Sequence, residues 1–328
     1  MDRFTRKIAS VLAVAVLGVM PHTVSQAVAQ DWPDKPVTVI VPFAAGGNTD
    51  GIARMTAQHL SEAFGKQFVV ENRPGASGAI AADMVAKASP DGYTLFLTAL
   101  PVMAIVPVMN KVRYDSLKDF TPISNVATNA FVLVVNKDLP IKTLADFVDY
   151  VKARQGQLSY GSAGIGSLNH LSMALFLKRA GLDMTHVPYK GNAPALSDVV
   201  AGHIPAMFSN LSDALPQAKG GNVRMLAVSS KARSPQAPDV PTVAEFGYAG
   251  FNVLTWNGLM GPAGLPQPIV DKIAAEMGKA VKQPDFSQRL DKFGVEPLGN
   301  TPAEYKAMLV DDMDNWSKAL KLAGIGQQ

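Results

Sequence analysis

Two segments in separate halves of the chain share one order of residues: an apolar strand, a turn of small residues, and then a helix. The first segment is VPFAAGGNTD at 41–50, and the second is YGSAGIGSLNH at 160–170. Apolar runs that end at glycine predict buried strands, and apolar residues spaced three or four apart predict helices after both turns. In an open α/β sheet, ligands bind beyond the carboxyl ends of such strands. The two turns therefore predict the two edges of one binding cleft.

Both turns are suited to holding an anion through the backbone. Small residues let N–H groups approach a ligand closely, and the first N–H groups of a helix favour negative charge. Neither turn contains lysine or arginine. The alternative is that the glycines only satisfy turn geometry and that the polar residues only cap helices. Asp50 favours this alternative, because it would repel an anion if its carboxylate faced the cleft.

The order of predicted strands and helices indicates an α/β protein of two domains. Strands and helices alternate from residue 37 to 98, which predicts a largely parallel sheet, and the alternation begins again near 131. No flexible linker separates the halves, so we expect two strands, near 128–135 and 253–259, to cross between them. The predicted parts are a signal peptide at 1–29, a discontinuous first lobe at 30–127 plus 252–328, and a second lobe at 128–251.

The N-terminus has the three parts of a secretory signal peptide. Three basic residues among the first seven precede a thirteen-residue apolar run, and an A-x-A site occupies 27–29. We expect cleavage after Ala29 and a periplasmic protein. The alternative is a membrane anchor, although the run is short for a bilayer core of roughly 30 Å. An exported chain of 328 residues without cysteine can build a core without disulfides, and it lacks thiolate nucleophiles and thiolate metal ligands.

Motifs of the common enzyme classes are absent from the sequence. It contains no G-x-S-x-G elbow and no phosphate-binding P-loop, and its five histidines lack metal-ligand spacing. The alternative of an exported hydrolase would pair Ser162 or Ser167 with His170, but no acid is evident to orient the histidine. We expect no catalytic residue, no metal and no cofactor. The basic residues are scattered, which argues against binding to nucleic acid.

Ordered blocks of the sequence resemble the substrate-binding receptors of tripartite tricarboxylate transporters, the Bug family. The blocks are VPFAAGGNTDGIAR (41–54), VVENRPGASGAIAADMVAKASPDGYTL (69–95), YGSAGIGSLNHL (160–171), HVPYKGNAPALSDVVAGHIPAMFSNL (186–211) and PDVPTVAEFGYAGF (238–251), continued by WNGLMGPAGLP (256–266). The resemblance implies a two-lobed periplasmic-binding-protein fold of the type II kind with a central cleft. It also implies that the ligand is a small carboxylate, which can be a simple organic acid, an aromatic acid or a dicarboxylic acid. The implied partner is a membrane permease or a sensor protein. We expect a monomer.

The two turns and the resemblance together predict the ligand-binding residues. These are Phe43, Ala44, Ala45, Gly46, Gly47, Thr49 and Asp50 in the first turn, Thr98 and Ala99 at a strand end, Ser162, Ala163, Gly164, Ser167 and His170 in the second turn, and Asn210. The resemblance implies that backbone groups and bridging waters, rather than an arginine, hold the carboxylate. Ser209 stands where the family often has aspartate, which disfavours amino-acid ligands. For His170 and Asn210, a structural histidine and a turn residue remain the alternatives.

Overall fold

The computed structural model describes residues 32–323, and within that range it contains ten strands and ten helices, besides three short 3-10 or π turns. The strands are β1 Val37–Val41, β2 Phe68–Asn72, β3 Thr94–Ala99, β4 Phe120–Asn136, β5 Ser159–Ser162, β6 Thr185–Pro188, β7 Ala206–Asn210, β8 Val223–Val228, β9 Leu254–Pro262 and β10 Glu296–Pro297. The helices are α1 Asn48–Phe64, α2 Ala79–Ala86, α3 Val106–Met109, α4 Leu144–Lys152, α5 Leu168–Ala180, α6 Asn192–Ala201, α7 Leu211–Lys219, α8 Gln267–Ala280, α9 Pro284–Phe293 and α10 Pro302–Ala323.

The parallel pairing predicted for the strands at 37–98 is confirmed, and the central part of the sheet, which contains the crossing strands, is antiparallel. Among the named strands of residues 32–323, β1 pairs in parallel with β2 and β3, and β5 pairs in parallel with β6 and β7. Between these groups, β9 lies antiparallel to both β3 and β4, and β4 lies antiparallel to β7 and β8. The reason is that β9 brings the chain back from the second group of strands and therefore runs against its neighbours.

Strand β4 joins the two groups of strands. Its first part, Phe120–Ala130, pairs with β9, and its last part, Phe131–Asn136, pairs with β7 and β8. The strand therefore contains the predicted crossing segment at 128–135 but begins earlier. The second predicted crossing differs in detail, because within residues 32–323 the neighbours of β9 are β3 and β4. The segment that leads into β9 does contact the second group of strands, because Val253 N donates a hydrogen bond to Ser229 O, just after β8, at 2.9 Å.

Helix α1 shows how the packing fixes the position of a turn. Its buried residues Ile52, Thr56 and Leu60 recur at four-residue spacing and form one face. Ile52 and Leu60 pack with Val39 of β1 and Ile273 of α8 in one hydrophobic cluster. Burial of apolar surface contributes roughly 25 cal/mol per Å². The start of α1 is thereby held at the carboxyl end of β1.

No helix in residues 32–323 is both long enough and apolar enough to cross a membrane. The predicted signal peptide at 1–29 lies outside the described residues.

Candidate functional site

A cavity of about 470 Å³, part of it open to solvent, lies where the two groups of strands meet. Its wall is formed by Phe43, Ala44, Gly47, Asn48, Thr49, Asp50, Ala99, Pro101, Phe131, Ala163, Ser167, Leu168, Asn169, Asn192, Asn210, Thr255 and Asn257. Two aromatic rings and several carboxamides share the wall, so the cavity offers both apolar contact and hydrogen bonds.

Four helices begin at this cavity. Asn48, Leu168 and Asn192 are the first residues of α1, α5 and α6, and Asn210 directly precedes α7. The first N–H groups of a helix have no acceptor within that helix, and the helix dipole places partial positive charge there. Within residues 32–323, no lysine or arginine side chain lines the cavity. This arrangement favours an anion over a cation, as the two turns predicted.

The charge of Asp50 is compensated inside the first turn. Its carboxylate accepts hydrogen bonds from Gly46 N at 2.9 Å, Arg54 Nε at 2.9 Å and Asn72 Nδ2 at 3.0 Å. Burial by itself would raise the pKa of Asp50, but these donors outweigh it and hold the pKa below its usual value. The bond to Gly46 ties the turn to the start of α1, but Asp50 lies in the first turn of the helix and Gly47 is the N-cap, so Asp50 is not the helix cap considered as the alternative. Asp50 also lines the cavity.

In the second turn, Ser167 is the N-cap of α5. Its hydroxyl accepts His170 N at 3.3 Å and donates to Gly164 O at 2.7 Å. Ser162 Oγ lies 2.6 Å from Nε2 of His186, so the serine that the hydrolase alternative paired with His170 contacts a different histidine. Nδ1 of His170 instead accepts Gly166 N at 3.2 Å.

The rings of His170 and His186 stack with their centroids 4.0 Å apart. Burial lowers the pKa of each to about 4, and for His186 the charge of His170 is a second cause. Both rings are therefore neutral at pH 7. Among the described residues, the hydrogen bonds of these two rings go to Ser162 and to a backbone N–H, so no carboxylate orients either histidine.

A network of carboxamides forms the floor of the cavity. Asn169 Nδ2 donates to Asn192 Oδ1 and to Phe208 O, both at 2.8 Å. Asn192 Nδ2 in turn donates to Ser209 Oγ at 3.0 Å and to Asp213 Oδ2 at 2.5 Å. Each bond fixes which end of an amide faces its neighbour. The network therefore holds the side chains at the start of α5 and α6 in defined orientations.

Direct hydrogen bonds cross the cavity. Asn48 N donates to Asp213 Oδ2 at 3.1 Å, and Asn48 Nδ2 donates to Ser212 Oγ at 2.8 Å. At the rim, Ala44 N donates to Lys190 O at 3.2 Å. Burial raises the pKa of Asp213 to about 7, although its hydrogen-bond donors act in the opposite direction. These bonds join the turn at 43–50 to the second group of strands.

The structure brings most of the predicted residues to the cavity. Those that line it are Phe43, Ala44, Gly47, Thr49, Asp50, Ala99, Ala163, Ser167 and Asn210. Those outside its wall are Ala45, Gly46, Thr98, Ser162, Gly164 and His170. Gly164 lines an adjoining cavity that shares Phe43 and Ala163 with the first one. Thr98 is fully buried and precedes Ala99, and successive side chains of a strand point to opposite faces.

The lining residues that the sequence analysis missed are Asn48, Pro101, Phe131, Leu168, Asn169, Asn192, Thr255 and Asn257. Asn48, Leu168 and Asn169 lie within the two predicted turns, so the pattern of free helix N-termini contained them. Thr255 and Asn257 alternate with buried Trp256 along β9. That alternation of polar and apolar residues was the available signal for a strand with one face on the cavity.

Known proteins resemble the chain over most of its length. A family model described as a tripartite tricarboxylate transporter family receptor matches residues 52–325. Protein BugT of Bordetella pertussis is 33% identical over 316 residues, which cover 95% of this chain and 97% of BugT. The structure of R. palustris Rpa4515 with adipate matches with a TM-score of 0.89 and 36% identity, over 91% of this chain and 100% of that chain. MatC from Rhodopseudomonas palustris with bound malate matches with a TM-score of 0.83 and 34% identity, over 88% and 99%.

These similarities confirm the predicted family and the predicted α/β fold of periplasmic binding proteins. The chain belongs to the tripartite tricarboxylate transporter receptor family and to its Bug group, which are solute-binding receptors.

Proposed function

We propose that the chain is exported through the signal peptide at 1–29, is cleaved after Ala29, and captures a small carboxylate in the periplasm. The ligand is held between the lobes 30–127 plus 252–328 and 128–251, and is presented to the permease of a tripartite transporter. The relatives whose structures contain adipate and malate support a small organic acid as the ligand. The receptor works as a monomer and without a cofactor.

The observation that carries this proposal is the meeting of four helix N-termini in a cavity without a cationic side chain among the described residues. A carboxylate that leaves water needs hydrogen-bond donors to replace its hydration. N–H groups in the first turn of α5 supply donors, and in α1 the N–H groups after Asn48 do so, because Asn48 N already donates to Asp213 Oδ2. Ordered water can bridge the remaining gaps. The residues predicted from the sequence act in this proposal mainly through their backbone.

Capture couples to closure of the cleft. The bonds from Asn48 to Ser212 and Asp213, and from Ala44 to Lys190, form only while the two sides are close. A ligand that contacts both sides binds the closed form more tightly and shifts the equilibrium toward it. The permease then distinguishes the loaded receptor from the empty one by its closed surface.

The test is a thermal-shift and calorimetry panel of small carboxylates on the protein from Gln30 onward, unfolded and refolded to remove co-purified ligand. A true ligand at about 100 times its Kd adds about 2.7 kcal/mol of stability. We expect selective binding of one class of acid, with the ligand recovered unchanged. A broad panel without binding would overturn the carboxylate assignment, and conversion of the ligand would overturn the receptor assignment.

A further inference from the structure

A hydrogen bond joins the two sides of the cleft at the segment 75–78, which connects β2 to α2. Ser77 Oγ donates to Ile165 O at 2.6 Å. The segment belongs to the first group of strands, β1 to β3, whereas Ile165 follows β5 in the second group. Both residues line the adjoining cavity of about 520 Å³, which shares Phe43 and Ala163 with the first cavity. The bond therefore forms only while the two sides of the cleft are close together.

The backbone of the segment 75–78 is held in an unfavourable conformation. Its four φ angles are all positive, at 137° for Gly75, 46° for Ala76, 53° for Ser77 and 95° for Gly78. Glycine adopts such angles at little cost, but the Cβ atoms of alanine and serine make them unfavourable. Within residues 32–323, Ala76 and Ser77 are the two residues other than glycine with a positive φ. Strain of this kind clusters at ligand clamps and switches, so it points to a function for Ser77.

Close packing on the first side of the cleft fixes this conformation. Gly78 N donates to Gly75 O at 2.9 Å and closes the turn. A Cβ added at Gly78 would lie 2.7 Å from Cγ2 of Val102, and one added at Gly75 would lie 2.6 Å from Cδ1 of Ile80. These contacts all come from the first side, so they do not depend on closure of the cleft. The hydroxyl of Ser77 is therefore presented to the second side with little further loss of conformational entropy.

The acceptor of this bond lies in the turn that begins α5. Gly164, next to Ile165, has a φ of 131°, and a Cβ added there would lie 2.9 Å from Ser77 Oγ. Gly164 O accepts the hydroxyl of Ser167 at 2.7 Å and the N–H of Ser167 at 3.1 Å. Ser167 is the N-cap of α5, whose first N–H groups are assigned to the ligand under the proposed function. A ligand that orders this turn also places Ile165 O for Ser77.

We propose that Ser77 is a latch, a residue whose hydroxyl holds the cleft closed over a bound carboxylate and slows its release. This inference rests on the proposed function, because it assumes that the cleft closes over the ligand. The hydroxyl bonds to water while the cleft is open and to Ile165 O when it closes, so the bond stabilises the closed form alone. Because the bond must break before the cleft opens, it acts on the dissociation rate and leaves capture by the open form nearly unchanged.

The test measures association and dissociation rates by stopped flow on the refolded protein from Gln30 onward. The probes are the acids of the carboxylate panel, among them succinate, malate, glutarate, adipate and benzoate, and the acid that binds wild type most tightly is used on the variants. Tryptophan fluorescence supplies the signal, because Trp256 lies between Thr255 and Asn257 of the cavity wall.

For Ser77→Ala we expect a dissociation rate about three- to tenfold higher than that of wild type, because one hydrogen bond contributes a factor of this size. The association rate should stay within about twofold, and the Kd from calorimetry should rise by the same factor as the dissociation rate. The free energy of unfolding of the ligand-free protein in urea should not change, because the open cleft lacks the bond.

Two further variants separate the bond from the strain. Ser77→Gly removes the same hydroxyl and relieves the positive φ, so it should release ligand as fast as Ser77→Ala but unfold at higher urea than that variant. Ser230→Ala is the matched control. The hydroxyl of Ser230 also donates to a backbone carbonyl, Ala232 O at 2.7 Å, but both residues lie on the second side. This variant should keep the wild-type dissociation rate.

Equal dissociation rates for Ser77→Ala and wild type would overturn the inference and leave the proposed function standing. Faster release with an equal loss of stability in the ligand-free protein would also overturn it, because Ser77 would then only support the fold. Binding of no acid in the panel would overturn both proposals. Ser77→Gly decides the matter if Ser77→Ala fails to fold.

Discussion

The carboxylate of Asp213 accepts the backbone N–H of Asn48 at 3.1 Å, and this bond joins the starts of α1 and α7 across the cavity. The same oxygen accepts Nδ2 of Asn192, which begins α6. Burial raises the pKa of Asp213 to about 7, so a group that titrates near neutrality links three of the four helices at the site. Its protonation state therefore affects the stability of this arrangement of helices.

We predict that Asp213→Asn changes how stability depends on pH. The folded pKa of about 7 lies above the ordinary value of 3.8, so between these values the folded protein keeps a proton that the unfolded chain releases. Protonated Asp213 therefore stabilises the fold most below about pH 4, and this contribution is lost as the pH rises to 7. The loss in free energy of unfolding is no more than about 1.4 kcal/mol for each unit by which the folded and unfolded pKa values differ. Urea unfolding from pH 4.5 to 7.5 should therefore show that the free energy of unfolding of the variant increases relative to that of wild type as the pH rises. Equal slopes would contradict the prediction, and exposed Asp239→Asn serves as the control.

The helix N–H groups can be tested one at a time at Leu168. Leu168 is the first residue of α5, where proline is tolerated, and Ser167 before it has the extended conformation that proline requires. Leu168→Pro removes one N–H from the cavity, whereas Leu168→Ala removes the side chain and keeps the N–H. We expect carboxylate affinity to be at least tenfold lower in the proline variant than in the alanine variant, because a hydrogen bond to a charged group contributes about 1.5–3 kcal/mol. Equal affinities would show that this N–H does not bind the ligand.

The stacked pair of His170 and His186 should make the fold sensitive to acid. Each folded pKa is about 4, below the ordinary value of 6.5, so the unfolded chain binds protons that the folded protein excludes. This stabilising contribution is full above about pH 6.5 and is lost as the pH falls toward 4. Asp213 has the opposite effect in the same range, so the two trends partly cancel in wild type.

We predict that His186→Gln, introduced into the Asp213→Asn background, reduces the loss of stability between pH 6.5 and 4. Glutamine keeps a polar partner for Ser162, which contacts His186 at 2.6 Å, but it does not titrate. Chemical unfolding at several pH values measures the slope. His203→Gln is the control, because the side chain of His203 is 70% exposed. If the stability of the double variant falls between pH 6.5 and 4 as steeply as that of Asp213→Asn alone, the histidine pair does not make the fold sensitive to acid.

Local sequence patterns predicted those parts of the site that come from a single continuous segment of the chain. The turns at 43–50 and 162–170 were found because glycine, a helix start and the end of a strand are all encoded nearby. Thr98 lies outside the cavity wall, whereas the next residue of the strand, Ala99, lines it. Because YTLFLT is apolar at nearly every position, alternation could not tell which of Thr98 and Ala99 faces the cavity.

Contacts between distant segments were beyond local patterns. Asn257 and Thr255 reach the cavity only because β9 returns between β3 and β4. The sequence analysis expected a crossing strand near 253–259 but could not give its neighbours or its register. Similarly, Ser162 meets His186 because β5 pairs with β6, in a register that no short segment reveals. Local patterns located the two turns that border the cavity, but the polar residues of its wall that come from distant segments depend on tertiary pairing.

The position of α1, which carries the first turn, depends on a close contact between Gly51 and Phe293. A Cβ added at Gly51 would overlap the ring of Phe293 at the end of α9. Alanine usually stabilises a helix relative to glycine by about 1 kcal/mol, but overpacking costs about 1–3 kcal/mol. We therefore predict that Gly51→Ala lowers the free energy of unfolding in the wild-type background.

The same substitution should become stabilising when Phe293 is replaced by alanine, because the added methyl group then enters open space. A double-mutant cycle by urea unfolding measures this coupling. Gly278→Ala in α8 is the matched control, since its added Cβ would come no closer than 4.0 Å to Gly299 O, and it should stabilise the protein in either background. If Gly51→Ala stabilises the wild-type protein as Gly278→Ala does, α1 can shift away from α9. In that case the packing of Phe293 does not determine where the N-terminus of α1 meets the cavity.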